Sequence, residues 1–188
     1  MQRHIRATLD TCAAGPIRVV SVCAGQGRDL IEAIGGHPRA GDVRARLVEL
    51  DPRNCDVARA AAPPGVDVVA ADASDTSAYR GAVPAELVLA CGVFGNISDS
   101  HIQRTIETLP SLCAPGATVI WTRHRRPPDR SELVRKWFVE SGFDEVAFEG
   151  PEGLVFGVGV DRLARSPAPF EPDVKMFEFV GSDQSWPR

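Results

Sequence analysis

No stretch of the 188 residues is long and apolar enough to span a membrane, and Met1-Gln2-Arg3-His4 leads into no signal-peptide core. A membrane partner is therefore not expected. There is no surplus of positive charge either. With 21 Lys and Arg against 25 Asp and Glu, the net charge of −4 gives no general pull towards nucleic acid or anionic lipid. The five cysteines, Cys12, Cys23, Cys55, Cys91 and Cys113, are odd in number and contain no C-x-x-C pair. Neither a disulfide framework nor a metal site is expected, and reduced, core-filling thiols in a cytoplasmic protein are. Internal repeats are absent. What remains is the length of one domain, able to bury roughly 70% of its unfolded surface. Its 44% hydrophobic and 24% charged residues are ordinary globular values.

The chain is organised around Val19-Val20-Ser21-Val22-Cys23-Ala24-Gly25-Gln26-Gly27-Arg28-Asp29-Leu30-Ile31. The apolar run Ile17 to Ala24, broken only by Arg18 and Ser21, predicts a strand buried on both faces of a parallel sheet. Gly25 and Gly27 supply a sharp turn and allow a ligand close to the main chain. Leu30, Ile31 and Ile34 follow at helical spacing, so the helix points its free N–H groups back at the loop. Strand, glycine turn and helix start together make a nucleotide-cofactor cradle. Glu49 closes a second apolar run, Ala45 to Leu50, and stands about 20 residues after Gly27, where an acid accepts hydrogen bonds from ribose hydroxyls. A third run, Val66 to Ala71, also ends in an acid, Asp72. Leu30 occupies the position where a dinucleotide fold asks for a third glycine, which speaks against a nicotinamide.

These segments resemble a small bacterial-type class I S-adenosylmethionine-dependent methyltransferase. The resemblance rests on Val22-Cys23-Ala24-Gly25-Gln26-Gly27, Leu47-Val48-Glu49-Leu50-Asp51-Pro52, Ala70-Ala71-Asp72-Ala73 and Leu87-Val88-Leu89-Ala90-Cys91-Gly92-Val93, and extends from about Ile17 to Leu163. It implies S-adenosylmethionine as cofactor and an α/β fold: a three-layer Rossmann-like sandwich whose seven-stranded, mostly parallel sheet ends in an antiparallel hairpin. It also implies that the first motif, with Cys23, Ala24, Gly25 and Gly27, holds the methionine part, that Glu49 holds the ribose, and that Asp72 lies near the adenine amino group, with Leu50, Ala73, Cys91 and Gly92 also binding the cofactor. The family usually carries an acid two residues before the first glycine. Here Cys23 stands there, so either Asp29 or a water takes the methionine amino group, or that end is held less firmly.

In order, residues 1–12 are expected as a short amphipathic helix through Ile5 and Leu9, residues 17–163 as the core, and residues 164–188 as an extended tail. With so short a segment before the core, the site is open, or a partner subunit of a homo-oligomer closes it, or the chain begins at an internal Met. Asp51-Pro52 caps and opens a helix that Pro63-Pro64-Gly65 stops. Asp75-Thr76-Ser77 begins a short helix or turn, and Pro84 precedes a strand from Glu86 to Cys91. Ser98-Asp99 caps a helix through Leu112 that Pro110 kinks or splits near Leu109. Pro115-Gly116 turns into a strand over Ala117 to Thr122. Asp129 caps a helix whose Leu133, Val134, Trp137 and Phe138 face inward and which Gly142 closes. Phe143 to Glu149 and Gly153 to Leu163 form a hairpin about Gly150-Pro151-Glu152-Gly153. In the tail, Val174, Met176, Phe177 and Phe179 can dock as an edge strand, and Gly181 to Arg188 fray.

Methyl transfer from a sulfonium needs positioning and exclusion of water more than a fixed catalytic residue. A general base helps where the acceptor must lose a proton, and Asn96, His101 and His124 are the candidates. Asn96 follows the fourth strand or else caps the next helix. His101 lies in a first helical turn that disfavours its charged form, or is merely exposed. His124 sits in Arg123-His124-Arg125-Arg126, which either holds an acceptor's carboxylate or phosphate or is a solvated loop. Phe94, Asn96 and Arg123 are the substrate-binding candidates. Nothing cationic adjoins Cys91 in sequence, which argues against a nucleophilic role. No Asn-Pro-Pro-Tyr stretch follows the fourth strand, and that absence with the acidic balance favours a small-molecule acceptor. Two rival readings stand beside methyl transfer: an NAD(P)-dependent oxidoreductase, and a non-catalytic cofactor-binding module acting in a complex.

Overall fold

Seven strands form one sheet in the order β3-β2-β1-β4-β5-β7-β6. The computed structural model describes residues 1–150 and 155–180; most of the expected hairpin turn and the final segment Gly181 to Arg188 lie outside the described residues. The strands are β1 Ile17–Val22, β2 Val43–Glu49, β3 Val66–Ala70, β4 Ala85–Ala90, β5 Cys113–His124, β6 Phe143–Glu149 and β7 Phe156–Leu163. The helices are α1 Gln2–Thr11, α2 Arg28–Ile34, α3 Pro52–Ala61, α4 Asp99–Thr108 and α5 Ser131–Glu140. Strands β1 to β5 pair parallel, and β7 runs antiparallel between β5 and β6.

The two-residue period of the strands sends alternate side chains to two separate cores. Val19, Leu47, Leu87 and Ile120 meet Ile5 and Leu9 of α1, Leu30 and Ile34 of α2, and Ala58 of α3. Val20, Val22, Val88, Val119 and Trp121 meet Ile102 and Ile106 of α4 and Val134 and Phe138 of α5 on the other side. Asp51 accepts the Arg53 backbone N–H at 2.9 Å with Pro52 in the first turn, so α3 starts where its cap puts it. Pro110 ends α4 at Thr108 and leaves a 3-10 turn over Leu109–Ser111.

Two local expectations are corrected. β5 begins at Cys113, because Cys113 pairs with Ala85 and Pro115-Gly116 is absorbed as an irregularity before Thr118 pairs with Leu87. The tail is not an edge strand: it makes only single bridges, Asp75 to Lys175 and Ile97 to Phe179. Among the described residues no helix is long and apolar enough to cross a membrane, and no cluster of three His, Cys, Asp or Glu could hold a metal.

Candidate functional site

The carboxyl ends of β3, β2, β1 and β4 lie side by side and carry the loops singled out by the sequence. After β1 the chain turns through left-handed conformations at Cys23 (φ 53°), Gly25 (φ 55°) and Gly27 (φ 71°). Cys23 is unusual, since L-residues other than Asn and Asp rarely adopt that region. A Cβ on Gly27 would lie 2.7 Å from Leu47 and 2.9 Å from Ile31, so α2 and β2 close directly on this glycine. Around Gly25, by contrast, nothing lies within 4 Å of where a Cβ would stand. The space above that turn is open.

Glu49 ties the first two loops together. One carboxylate oxygen accepts the Gly25 N–H at 2.8 Å and the other accepts the Asp51 N–H at 2.9 Å. Each oxygen keeps lone-pair capacity beyond these bonds. Asp72 is engaged more fully: Oδ1 accepts both the backbone N–H and the hydroxyl of Ser74, and Oδ2 accepts from Lys175 Nζ at 2.6 Å. Burial alone would raise its carboxyl, but the bonds from Lys175 and Ser74 outweigh it and hold the group below the usual carboxylate range.

Cys23, Glu49, Leu50, Asp72 and Ala73 line one cleft of about 300 Å³, whose opposite wall is the tail segment Lys175, Phe177, Glu178 and Phe179. Val174 and Met176 bond Thr76 and Ser74 through the main chain, and the Val180 N–H reaches Asn96 O at 3.0 Å. The tail thus runs from the end of β3 to the loop after β4, across the carboxyl edge. Leu50 is 68% exposed and Phe179 52% exposed, so two large apolar side chains border this cleft without being packed away. The tail's part in the cleft was missed, because its proline-spaced sequence signals only extended chain. The lone Lys175 within Val174-Lys175-Met176-Phe177 was the one available hint.

At the β1–β4 end, burial pushes the Cys23 thiol up to about 12, with Glu49 and Asp72 adding to the effect, so it stays protonated. Asp29 lies in the first turn of α2. Loss of water raises its carboxyl, against the opposing effect of the N-terminal amino group. α1 brings Met1 to the same edge, its Sδ 3.8 Å from Cys91 Sγ. Burial raises the Cys91 thiol as well, which leaves it inert.

A second cleft of about 230 Å³ opens beside the first loop's neighbour, lined by Gly92, Gly95, Asn96, Thr122, Arg123, His124, Arg126 and Phe156. The Gly92 N–H donates to Thr122 Oγ1 at 2.9 Å, and Asn96 Nδ2 donates to Gly92 O at 2.7 Å. Asn96 is exposed, and its Oδ1 accepts no hydrogen bond among the described residues. Gly95 lets the His124 ring come close: a Cβ there would lie 2.8 Å from His124 Cδ2. Burial, and then Arg123, lower the His124 pKa, so the imidazole is neutral at pH 7.

Two expected residues lie elsewhere. The Phe94 ring is fully buried, 6.0 Å from Trp121 and 6.3 Å from Phe138 between ring centroids. Only its carbonyl serves the cleft, as acceptor for Arg123 Nη1. Its flanking glycines allow that burial rather than contact with a substrate. His101 turns away from the second cleft, and its Nδ1 accepts the Glu178 N–H at 3.2 Å, bracing the tail against α4.

No protein-family model and no curated protein matches the sequence. Solved structures do match in fold. The N-methyltransferase NodS from Bradyrhizobium japonicum, crystallised with S-adenosyl-L-homocysteine, superposes with a TM-score of 0.64 at 18% identity, covering 87% of this chain and 85% of that one. The magnesium protoporphyrin IX methyltransferase of Synechocystis PCC 6803, with bound SAM, gives 0.65 at 12% identity over 86% and 77%. An O-methyltransferase family protein from Burkholderia thailandensis gives 0.64 at 13% identity, and this chain spans only 56% of its length. The sheet order, the antiparallel β7 and these superpositions agree: the chain has the fold of the class I S-adenosylmethionine-dependent methyltransferases.

Proposed function

We propose that the protein transfers a methyl group from S-adenosylmethionine to a small-molecule acceptor. The observation that carries this reading is that Cys23, the carboxylate of Glu49 and the apolar edge of Leu50 line one cleft, with the open turn at Gly25 bonded to Glu49, on a fold of this kind. When bound, the cofactor supplies an electrophilic methyl group on a sulfonium for in-line displacement. The remaining lone pairs of Glu49 suit ribose hydroxyls, already oriented by the two N–H groups that fix the carboxylate. Leu50 and Phe179 offer apolar surface to an adenine ring. Ala24, Gly25 and Gly27 leave main chain and space for the methionine part, with Asp29 rather than Cys23 as the acid near it. Ala73, Cys91 and Gly92 complete the edge.

The acceptor would enter the second cleft, which shares Gly92 with that edge. There the neutral His124 can take a proton from an acceptor nucleophile, and Asn96 Oδ1 can orient it. Acceleration then comes chiefly from positioning and from excluding water. The experiment is calorimetry with S-adenosylmethionine, S-adenosylhomocysteine and NAD. Product binding at submicromolar Kd with no NAD heat supports the proposal. NAD binding alone would replace it with hydride chemistry. Product binding with no methylated acceptor from a metabolite extract would leave a cofactor-binding module.

A further inference from the structure

We propose that the second cleft recognises an oxyanion on the acceptor, a carboxylate or phosphate next to an apolar body, through Arg123. The proposal deepens the methyl-transfer reading by giving its acceptor a chemical class. Arg123 is the last residue but one of β5 and is only 8% exposed. Its guanidinium makes one hydrogen bond among the described residues, from Nη1 to the Phe94 carbonyl, while Nε is buried with no partner. A buried guanidinium N–H without an acceptor is costly, and a ligand that supplies one removes that cost. The geometry suits an oxyanion in particular. With Nη1 held by Phe94, the guanidinium keeps its Nε side, the edge on which a carboxylate or phosphate forms paired bonds.

Among the described residues no carboxylate forms an ion pair with Arg123, and Asp99 and Asp129 act on its charge only from beyond contact. Those two carboxylates have partners of their own: Asp99 pairs with Arg130 at 3.3 Å, and Asp129 with Arg125 at 3.0 Å and with the start of α5. Arg126, exposed at the rim, forms no ion pair among the described residues. Two cationic side chains therefore line the cleft, with no carboxylate among its described lining residues. Phe156, 61% exposed on the same wall, gives an apolar surface for the body of the acceptor. The small volume, about 230 Å³, limits that body to roughly one ring or a short chain.

The test is a titration of the ¹⁵N-labelled full chain, without cofactor, followed at the arginine Nε–H resonances, with Arg123 assigned through Arg123→Lys. The probes are sodium acetate, inorganic phosphate, neutral acetamide and, at matched ionic strength, sodium chloride. Saturable movement of the Arg123 signal with acetate or phosphate, and none with acetamide or chloride, is the expected result. Whichever anion binds more tightly tells a carboxylate acceptor from a phosphorylated one. Arg126→Ala should weaken that binding several-fold, and Arg123→Gln should weaken it by about tenfold or more, read from a reporter amide of Gly92 or Gly95. An Arg123 signal indifferent to both oxyanions, or one that chloride moves equally, overturns the proposal. Because no cofactor is present, the outcome is separate from the methyl-transfer reading: failed S-adenosylhomocysteine binding with an intact anion response would remove that reading and keep this site.

Discussion

At Glu49 one carboxylate closes two loops and still faces a cleft, so its removal should act on stability and on binding together. Glu49→Ala leaves the N–H groups of Gly25 and Asp51 without their acceptor. A loss of about 2 kcal/mol is expected in urea unfolding, and a loss of about 1.5–3 kcal/mol in S-adenosylhomocysteine binding by calorimetry. A fall in stability with unchanged affinity would reduce Glu49 to a loop clamp. A second acid speaks through pH. Asp161 is buried on β7, where Oδ2 accepts the Trp121 indole N–H at 2.7 Å and Oδ1 has no partner among the described residues. Burial pushes its carboxyl up to about 7, although the bond from Trp121 acts the other way. The folded chain therefore binds a proton more tightly than the unfolded chain, whose carboxyl titrates near about 4. Between about pH 4 and about pH 7 this group makes stability fall as pH rises, by up to a few kcal/mol. Asp161→Asn keeps an acceptor for the indole and should flatten that slope, as read from urea midpoints across the window. A slope identical to that of the parent chain would show that Asp161 is not its source.

Among the elements, β7 depends on what it lacks. Gly159 pairs with Trp121 across the strands, and a Cβ there would lie 2.1 Å from the indole. The indole in turn stacks on Phe138 at 5.6 Å and on Phe148 at 5.8 Å, forming the aromatic block beneath Arg123 and the Phe94 loop. Gly159→Ala should destabilise by about 1–3 kcal/mol in urea unfolding and shift tryptophan emission, since the ring has no free direction to move. Unchanged emission and stability would mean that the ring is looser than its contacts imply. The inner strands were legible because side chains of both faces meet a core, which makes them continuous apolar runs, and α3 because Asp51-Pro52 carries its own cap. The length of β5 was not, since Pro115-Gly116 is locally a turn and only pairing with β4 makes it a bulge. The place of Glu49 at the end of β2 was legible from spacing alone. The partner of Asp72 was not: Lys175 lies 103 residues away, and no local pattern encodes that meeting.

On the scale of the whole molecule, the proposed binding edge is assembled from distant parts of the chain. Met1 reaches its β4 end and the tail roofs its β3 end. Lys175→Ala removes an exposed ion pair, so global stability should change by less than about 1 kcal/mol. Hydrogen exchange at residues 174–180 should nevertheless quicken and product affinity fall several-fold, because the tail loses its tie to Asp72. Exchange that stays slow would place the anchoring in Met176 and Phe177 instead. The order of synthesis adds a further consequence. A nascent chain that has extruded β7 already holds all seven described strands, yet it lacks the wall that Lys175, Phe177, Glu178 and Phe179 give the first cleft. Under the proposed function, capture of the small molecule waits until residues 172–180 have left the ribosome, so occupancy reports a docked tail, not merely a folded sheet.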